Sequence, residues 1–360
     1  FPVTVIALSL SLLVGDGCAA YLSICQGRRD GEHAHRSVGN AVVFITASGI
    51  VLTLLYAFFR DSILWGFGAT ENNIGYAREY FLYLIPGIPF FMFANAMNSV
   101  IRADGSPQFA MFSTLIGCAL NVVLDPVAIF VLGWGMKGAA LATITSQLLS
   151  AVLVVLALMK TDDMYKLEWK KVRIDQRMLQ RIVRIGIPAG MQSVMYNISN
   201  VIIQAGVNTL GTDNVTAWAT YGKVDGLYWM MINALGISAT TFVGQNFGAG
   251  RLDRVRKGAG ACMVIGVVLT ASVGVVLYNG GHLLVELFTT DLQVQAISMD
   301  LLHFMVPTFI TYIAIEILSG TLRGVGDAWM PLIITGIGVC AVRVLWIMFV
   351  LPHYHTIIGA

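Results

Sequence analysis

Residues 109–132 read FAMFSTLIGCALNVVLDPVAIFVL, twenty-four positions with a single charge. As a helix rising 1.5 Å per residue this run spans about 36 Å, enough to cross a hydrocarbon layer of about 30 Å. The chain around it has the same character. Of 360 residues, 57% are hydrophobic and 12% charged, with a mean hydropathy of +0.76, far from the balance of a soluble globular domain. The composition therefore predicts an all-α polytopic membrane protein.

Apolar stretches of spanning length fall at 1–26, 39–60, 78–100, 109–132, 138–159, 185–209, 218–247, 258–280, 294–321 and 329–351, about ten helices. The first begins without a charged flank or a small-residue cleavage site, so it is read as a truncated beginning, not as a signal peptide. Seventeen Lys and Arg residues lie in alternate connections, beginning with Arg28, Arg29 and Arg36, against Arg60, Arg78 and Lys137 in the opposite set. Since basic residues collect on the cytoplasmic side, the first loop is expected inside. The net charge of +2 gives no case for nucleic acid.

One long hydrophilic connection divides the chain into an N-terminal lobe at 1–160, a cytoplasmic linker at 161–184 and a C-terminal lobe at 185–360. Asp175 stands where it would cap the helix leading into Ile185. The halves repeat. A shift of 221 residues superposes Gly15 on Gly236, Gly27 on Gly248, Pro86 on Pro307, Arg102 on Arg323 and Gly117 on Gly338 without an insertion. The helix at 185–209 has no counterpart ahead of the first copy, and the helix at 138–159 has none after the second. Two six-helix lobes, twelve helices in all, are the expected whole, with the first and last absent here. Copies with an even number of spans enter from the same side, related by an axis along the membrane normal, and two such lobes enclose a central cleft, as transporters do.

Within the opening run, Asn121 and Asp125 stand four apart and share a helix face. Pro126 has no N–H, so the Val122 carbonyl loses its helical donor. One turn thus offers an amide, a carboxylate and a carbonyl to a cation. An ionisable residue inside a span is a functional candidate, and competition between a proton and a metal cation for it is what couples an ion gradient to a conformational change. The alternative is a structural carboxylate bonded to Asn121 or Thr143. Thr143, near the outer start of the next span, lies within one turn of the depth of Asp125.

The turn Gly244-Gln245-Asn246-Phe247-Gly248-Ala249-Gly250-Arg251 resembles the signature of the multidrug and toxic compound extrusion (MATE) family, as do Leu322-Arg323-Gly324-Val325-Gly326-Asp327 and its counterpart Ile101-Arg102-Ala103-Asp104-Gly105. The resemblance covers essentially the whole chain. It implies an antiporter that exports amphipathic, often cationic compounds by alternating access, with Na⁺ or H⁺ as coupling ion and no other cofactor. It also implies a coupling site in the N-terminal lobe at Asn121, Asp125 and Thr143, with Na⁺ held by Asp125 and Asn121, completed in the family by an aspartate of a first helix for which this chain has no match. The implied partners are a small-molecule substrate and the lipid bilayer, for a monomeric multi-pass protein of a prokaryotic plasma or inner membrane.

Further polar residues inside spans are candidates for substrate or secondary coupling sites. Glu316 is the other acid well inside a span, with Gln192 at comparable depth as a structural partner. Asp16 sits between Gly15 and Gly17, where glycines permit a kink or close helix approach. Gln192, Tyr196, Asn200 and Gln204 form one stripe at spacings of four, which either lines a cavity or bonds across a helix interface. Met195, Trp229, Met230 and Met231 would supply adaptable apolar contacts beside it. Lys223 and Asp225 are expected to neutralise each other, and Arg343 has no assigned role.

The five cysteines, Cys18, Cys25, Cys118, Cys262 and Cys340, lie in apolar runs at no metal-ligand spacing and read as buried small hydrophobes. The pairs His33/His35 and His353/His355 are in loops and are expected to be solvated. No phosphate loop, nucleophile elbow or zinc helix appears, so the chain is not expected to be an enzyme or to be driven by ATP. A lipid-linked precursor flippase of the same superfamily would need several basic residues in its cavity, and only Lys223 and Arg343 are available. A membrane-embedded transferase would need an acid cluster or a catalytic histidine, for which His303 with Asp300 is a weak pairing.

Overall fold

A backbone inside lipid must satisfy its own N–H and C=O groups, and over these apolar runs the α-helix does so within each segment. The computed structural model describes residues 2–66, 71, 74–161, 163, 166–168, 172 and 174–349, and no strand occurs among them. The helices are α1 (Pro2–Arg28), α2 (Gly31–Phe58), α3 (Arg60–Gly66), α4 (Ile74–Leu84), α5 (Ile88–Ala103), α6 (Pro107–Pro126), α7 (Gly135–Lys160), α8 (Gln176–Asn208), α9 (Thr212–Gly248), α10 (Leu252–Glu286), α11 (Leu292–Met305), α12 (Phe309–Gly324), α13 (Trp329–Thr335) and α14 (Val342–Phe349). Nine segments among the described residues are long and apolar enough to span. The tenth predicted span, 185–209, is the second part of α8, where the polar stripe lowers the hydropathy.

Two breaks have matching chemistry. A 3-10 turn at Ile85–Gly87 joins α4 to α5 and another at Val306–Thr308 joins α11 to α12. Each holds a proline, Pro86 or Pro307, which cannot donate within the helix ladder. The 221-residue shift carries Ile88–Ala103 onto Phe309–Gly324 and the start of α2 onto that of α10. The local structure therefore keeps the register read from the sequence.

The chain divides into two compact units, Phe1–Gly190 and Met191–Ala360, with the boundary inside α8. In the first, α1 packs on α2 and α5, and α6 on α7. Glycines make these approaches close, as van der Waals packing between membrane helices demands. A Cβ at Gly15 would come within 2.8 Å of the Ala96 backbone, and one at Gly17 or Gly186 would collide with the Ile182 or Leu13 carbonyl oxygen. In the second, α9 is central against α10, α11 and α12. Tyr228 stacks on Phe309 at 4.0 Å and donates its hydroxyl to the Phe309 carbonyl, which satisfies a polar group within that core. Large apolar side chains cover the outer faces, with Phe58 83% and Phe130 81% exposed, as suits a lipid surround.

The linker is fastened to the first unit. His35 Nδ1 lies 3.0 Å from the Lys166 carbonyl, Asn40 accepts from the Asp175 N–H at 2.8 Å, and Leu167 is buried. Both histidines stand in the first turns of α2, not in a loop: His35 is a half-buried strut, and His33 is half-buried beside Asp30. His353 and His355 lie outside the described residues. Asp175 caps α8, accepting from the N–H groups of Arg177 and Met178 at 3.0 and 3.3 Å. Cys18, Cys25 and Cys340 are buried, while Cys262 is intermediate and Cys118 is exposed on α6, away from the α7 contact.

Candidate functional site

The opening turn forms a compact polar feature. Asn121 Nδ2 donates to Asp125 Oδ1 at 3.2 Å along one turn of α6, and both side chains are half-buried. Pro126 ends the regular ladder, the Val127 N–H donates to Leu124, and a π-helical turn follows at Val127–Val131. Such turns inside helices recur at functional sites because they redirect side chains and free carbonyls.

Helix α7 begins directly against this turn, since a Cβ on Gly138 would meet the Ala128 backbone at 2.9 Å. The two helices run antiparallel from that contact. Asp125 lies three residues back along α6 and Thr143 five along α7, so their depths differ by about 3 Å. The Thr143 hydroxyl donates to the Ala139 carbonyl at 2.9 Å, and no hydrogen bond joins it to Asp125 among the described residues. Its lone pairs remain available as acceptors. Asn121, Asp125 and Thr143 thus fall within about one turn of each other in depth on packed helices, with the carboxylate bonded to the amide.

The second unit carries a larger polar cluster. Tyr312 donates to the Tyr196 hydroxyl at 3.3 Å, and the Trp229 ring lies 4.3 Å from that of Tyr312 and 6.4 Å from that of Tyr196. Glu316, one turn after Tyr312, acts electrostatically on both tyrosines. Its carboxylate occupies the space that a Cβ on Gly236 would fill, with Oε1 2.5 Å from that position. Arg343, just past the second π-helical turn at Gly336–Ala341, acts on Tyr196, Tyr312 and Asp225.

Gln192 is buried and bonded across a helix interface, its amide donating to Thr335 Oγ1 at 2.9 Å and its oxygen accepting from Arg323 Nη2 at 3.1 Å. Both ends of the Gln192 amide are thus engaged by groups other than Glu316, its alternative partner by depth. Farther along the stripe Asn200 is exposed, and Gln204 donates to Asn208 at 2.9 Å. Asp16 is half-buried between Gly15 and Gly17, both of which are close-approach sites, so the glycines serve packing.

The expected Lys223–Asp225 pair does not form. Residues two apart on a helix point to different sides. Lys223 lies over the Phe288 ring at 4.8 Å, and Asp225 accepts from the Tyr221 hydroxyl at 3.1 Å. His303 Nε2 lies 3.0 Å from the Tyr278 carbonyl, which gives it a structural contact on α10. The sequence placed Trp229 beside the Tyr196 stripe but did not connect either with Glu316, and it singled out neither Tyr312 nor a role for Arg343; the pairing of Asp225 with Tyr221 was missed as well. No group of three or more His, Cys, Asp or Glu suited to a metal occurs among the described residues.

A family model, MatE, matches residues 1–127 and 188–348. The chain belongs to the MatE family. Curated relatives of this MatE chain include a probable multidrug resistance protein, YoeA of Bacillus subtilis (strain 168), 25% identical over 98% of this chain and 78% of that protein. Another is the multidrug export protein MepA of Staphylococcus aureus (strain MRSA252), also 25% identical, over 96% of this chain and 77% of that one. The fold matches an outward-facing multidrug resistance MATE family transporter of the MOP superfamily with a TM-score of 0.91 at 21% identity, over 100% of this chain and 80% of that one. A MOP superfamily transporter from Pyrococcus furiosus Vc1 matches with a TM-score of 0.90 at 22% identity, over 100% and 81%. This MatE chain is a multi-pass membrane transporter.

Proposed function

We propose that the chain exports amphipathic, often cationic compounds as an antiporter coupled to Na⁺ or H⁺, with Asn121, Asp125 and Thr143 as the coupling residues of its first unit. The observation that carries this reading is the half-buried Asp125 carboxylate, bonded to Asn121 beside a proline and a π-helical turn, level with Thr143. A carboxylate so placed alternates between proton and metal cation with little rearrangement, and the Val122 carbonyl and Thr143 hydroxyl can join it as oxygen ligands. The multidrug resistance and export functions named for the YoeA and MepA relatives support the substrate class.

Tyr196, Glu316 and the neighbouring Trp229 and Tyr312 are proposed to meet the substrate, since aromatic faces beside a carboxylate suit an organic cation. Asn200, exposed on the same helix, adds a polar contact. Gln192, through Thr335 and Arg323, steadies that helix. Asp16 is retained as a secondary coupling group on α1.

The test is reconstitution of the protein in liposomes, following export of a fluorescent cationic dye under a Na⁺ gradient alone and under a pH gradient alone. Dye movement driven by one gradient supports the reading and identifies the ion. Folded protein that moves dye under neither would overturn it.

A further inference from the structure

The first turns of α8 have two unlike faces. Met178, Ile182 and Ile185 are buried at 3%, 0% and 7% exposure, and Ile182 meets α1 at Gly17. The other side shows Gln176, Arg177, Gln180, Arg181 and Arg184, all exposed. Arg177, Arg181 and Arg184 follow the spacing that stacks side chains along one helix face.

Among the described residues their charge has no ion-pair partner. Four other Arg and Lys residues of the first unit have carboxylate partners: Arg36 with Glu32 and Asp175, Arg60 and Arg78 with Asp61, and Lys137 with Glu79. Among the described residues no carboxylate lies within ion-pair distance of Arg177, Arg181 or Arg184. Arg181 is also oriented in advance. It lies over the Tyr21 ring, 5.3 Å from the centroid, and donates to the Tyr21 hydroxyl. A guanidinium fixed by a ring and a hydroxyl loses less entropy on meeting an anion.

Depth decides what that anion is. Residues 185–208 of α8 make about 36 Å of helix, enough by themselves for the hydrocarbon layer. The arginine-bearing turns precede them and fall at the level of the headgroups, where a tyrosine such as Tyr21 is also at home. The basic loops put this end of α8 on the cytoplasmic side, where anionic lipids attract clustered basic residues.

We propose that the Arg177–Arg181–Arg184 face of α8 binds the phosphate headgroup of an anionic phospholipid. Guanidinium groups receive phosphate oxygens through paired N–H donors, and Gln176 and Gln180 on the same face add neutral amide donors. The lipid would hold the start of α8 in the headgroup layer and neutralise a charge that has no carboxylate partner among the described residues.

The test uses the full chain in detergent and native mass spectrometry with phosphatidylglycerol and phosphatidylcholine of identical acyl chains. The readout is the ratio of their first association constants. Wild type is expected to favour phosphatidylglycerol by roughly fivefold for each arginine engaged. The ratio should fall towards one in Arg177→Gln/Arg181→Gln/Arg184→Gln. Should that variant not fold, Arg177→Gln/Arg184→Gln spares the Tyr21 contact and is expected to lose at least about fivefold. A comparison variant, Arg251→Gln/Arg254→Gln/Arg256→Gln, removes three exposed cations at the α9–α10 turn, which no ring and hydroxyl hold among the described residues, and should lower the ratio less than the α8 variants do. A wild-type ratio near one, an unchanged ratio in the α8 variants, or an equal fall in the comparison variant would overturn the proposal.

Discussion

Asn121 and Asp125 are hydrogen-bonded to each other at 3.2 Å, one turn apart on α6, immediately before Pro126 interrupts the helix. The bond holds the carboxylate in one rotamer on the turn where the Val122 carbonyl lacks its usual donor. Asp125→Asn keeps an acceptor for the Asn121 amide while removing the charge. It should leave normal amounts of folded protein in the membrane and abolish ion-driven dye export. Asn121→Ala removes a hydrogen bond to a charged group, worth about 1.5–3 kcal/mol. The expected result is a change of roughly tenfold or more in the ion concentration that half-saturates export. Transport at wild-type level in Asp125→Asn, at matched protein amounts, would remove Asp125 from the mechanism.

Gly186 and Leu13 make the tightest of the glycine approaches between α8 and α1, and Gly17 with Ile182 repeats it one turn away. A methyl group at residue 186 must push the backbones apart, because the obstacle is a carbonyl oxygen and not a side chain that can turn aside. Gly186→Ala should therefore destabilise by about 1–3 kcal/mol, the usual range for overpacking. Thermal unfolding followed by light scattering in detergent should show a clearly lower midpoint. Gly75→Ala, where nothing lies within 4 Å of the added atom, serves as the control and should unfold as wild type does.

Much of this architecture could be read directly because hydrocarbon-spanning helices announce themselves by apolar length, and the glycines and prolines of the two halves stay in register. Pro86 and Pro307 even mark the 3-10 turns to the residue. What escaped reading depends on pairs distant in sequence or on angular placement. Asn40 and Asp175 meet across 135 positions, and nothing local to either names the other. Lys223 and Asp225 look like a pair in one dimension and point apart in three. Pro126 predicted a disturbed turn, but not that the helix would widen there into a π turn with Gly138 packed on Ala128. At the candidate site, the Asn121–Asp125 spacing was visible, whereas the aromatic surroundings of Glu316 required α8, α9 and α12 to be placed.

Asp104, at the end of α5 and outside its span, accepts a hydrogen bond from the Gln26 side chain on α1. Burial is the main cause that pushes its carboxyl up to about 7, with the Asp163 charge adding to it and the Gln26 bond opposing. A carboxyl raised in the folded state keeps a proton that the unfolded chain releases near pH 4. Stability should therefore fall as pH rises from about 4 through about 7 and then level off. Asp104→Asn retains the acceptor for Gln26 and removes the titration. Its unfolding midpoint should exceed that of wild type at pH 8 and match it more closely at pH 5. Equal midpoints at both values would show that this carboxyl does not carry the pH dependence.

Glu316 and Gly236 occupy one another's space, the carboxylate lying where a side chain at position 236 would begin. That geometry makes the role of Glu316 testable from the opposite helix. Gly236→Ala should displace the carboxylate from its place beside Tyr196 and Tyr312 without altering its charge. If Glu316 meets a cationic substrate, Glu316→Gln and Gly236→Ala should each raise the KM for cationic dye export by about tenfold. The double variant should be little worse than either alone, because residues in contact are not additive. Export of a neutral substrate supplies the control, since loss of packing would lower both equally. Multiplicative effects in the double variant, or equal losses for neutral and cationic compounds, would assign Glu316 to structure. The geometry favours coupling of the two positions, because the Gly236 carbonyl also packs against Gly320, one turn beyond Glu316 on α12, so the two helices touch on both sides of the carboxylate.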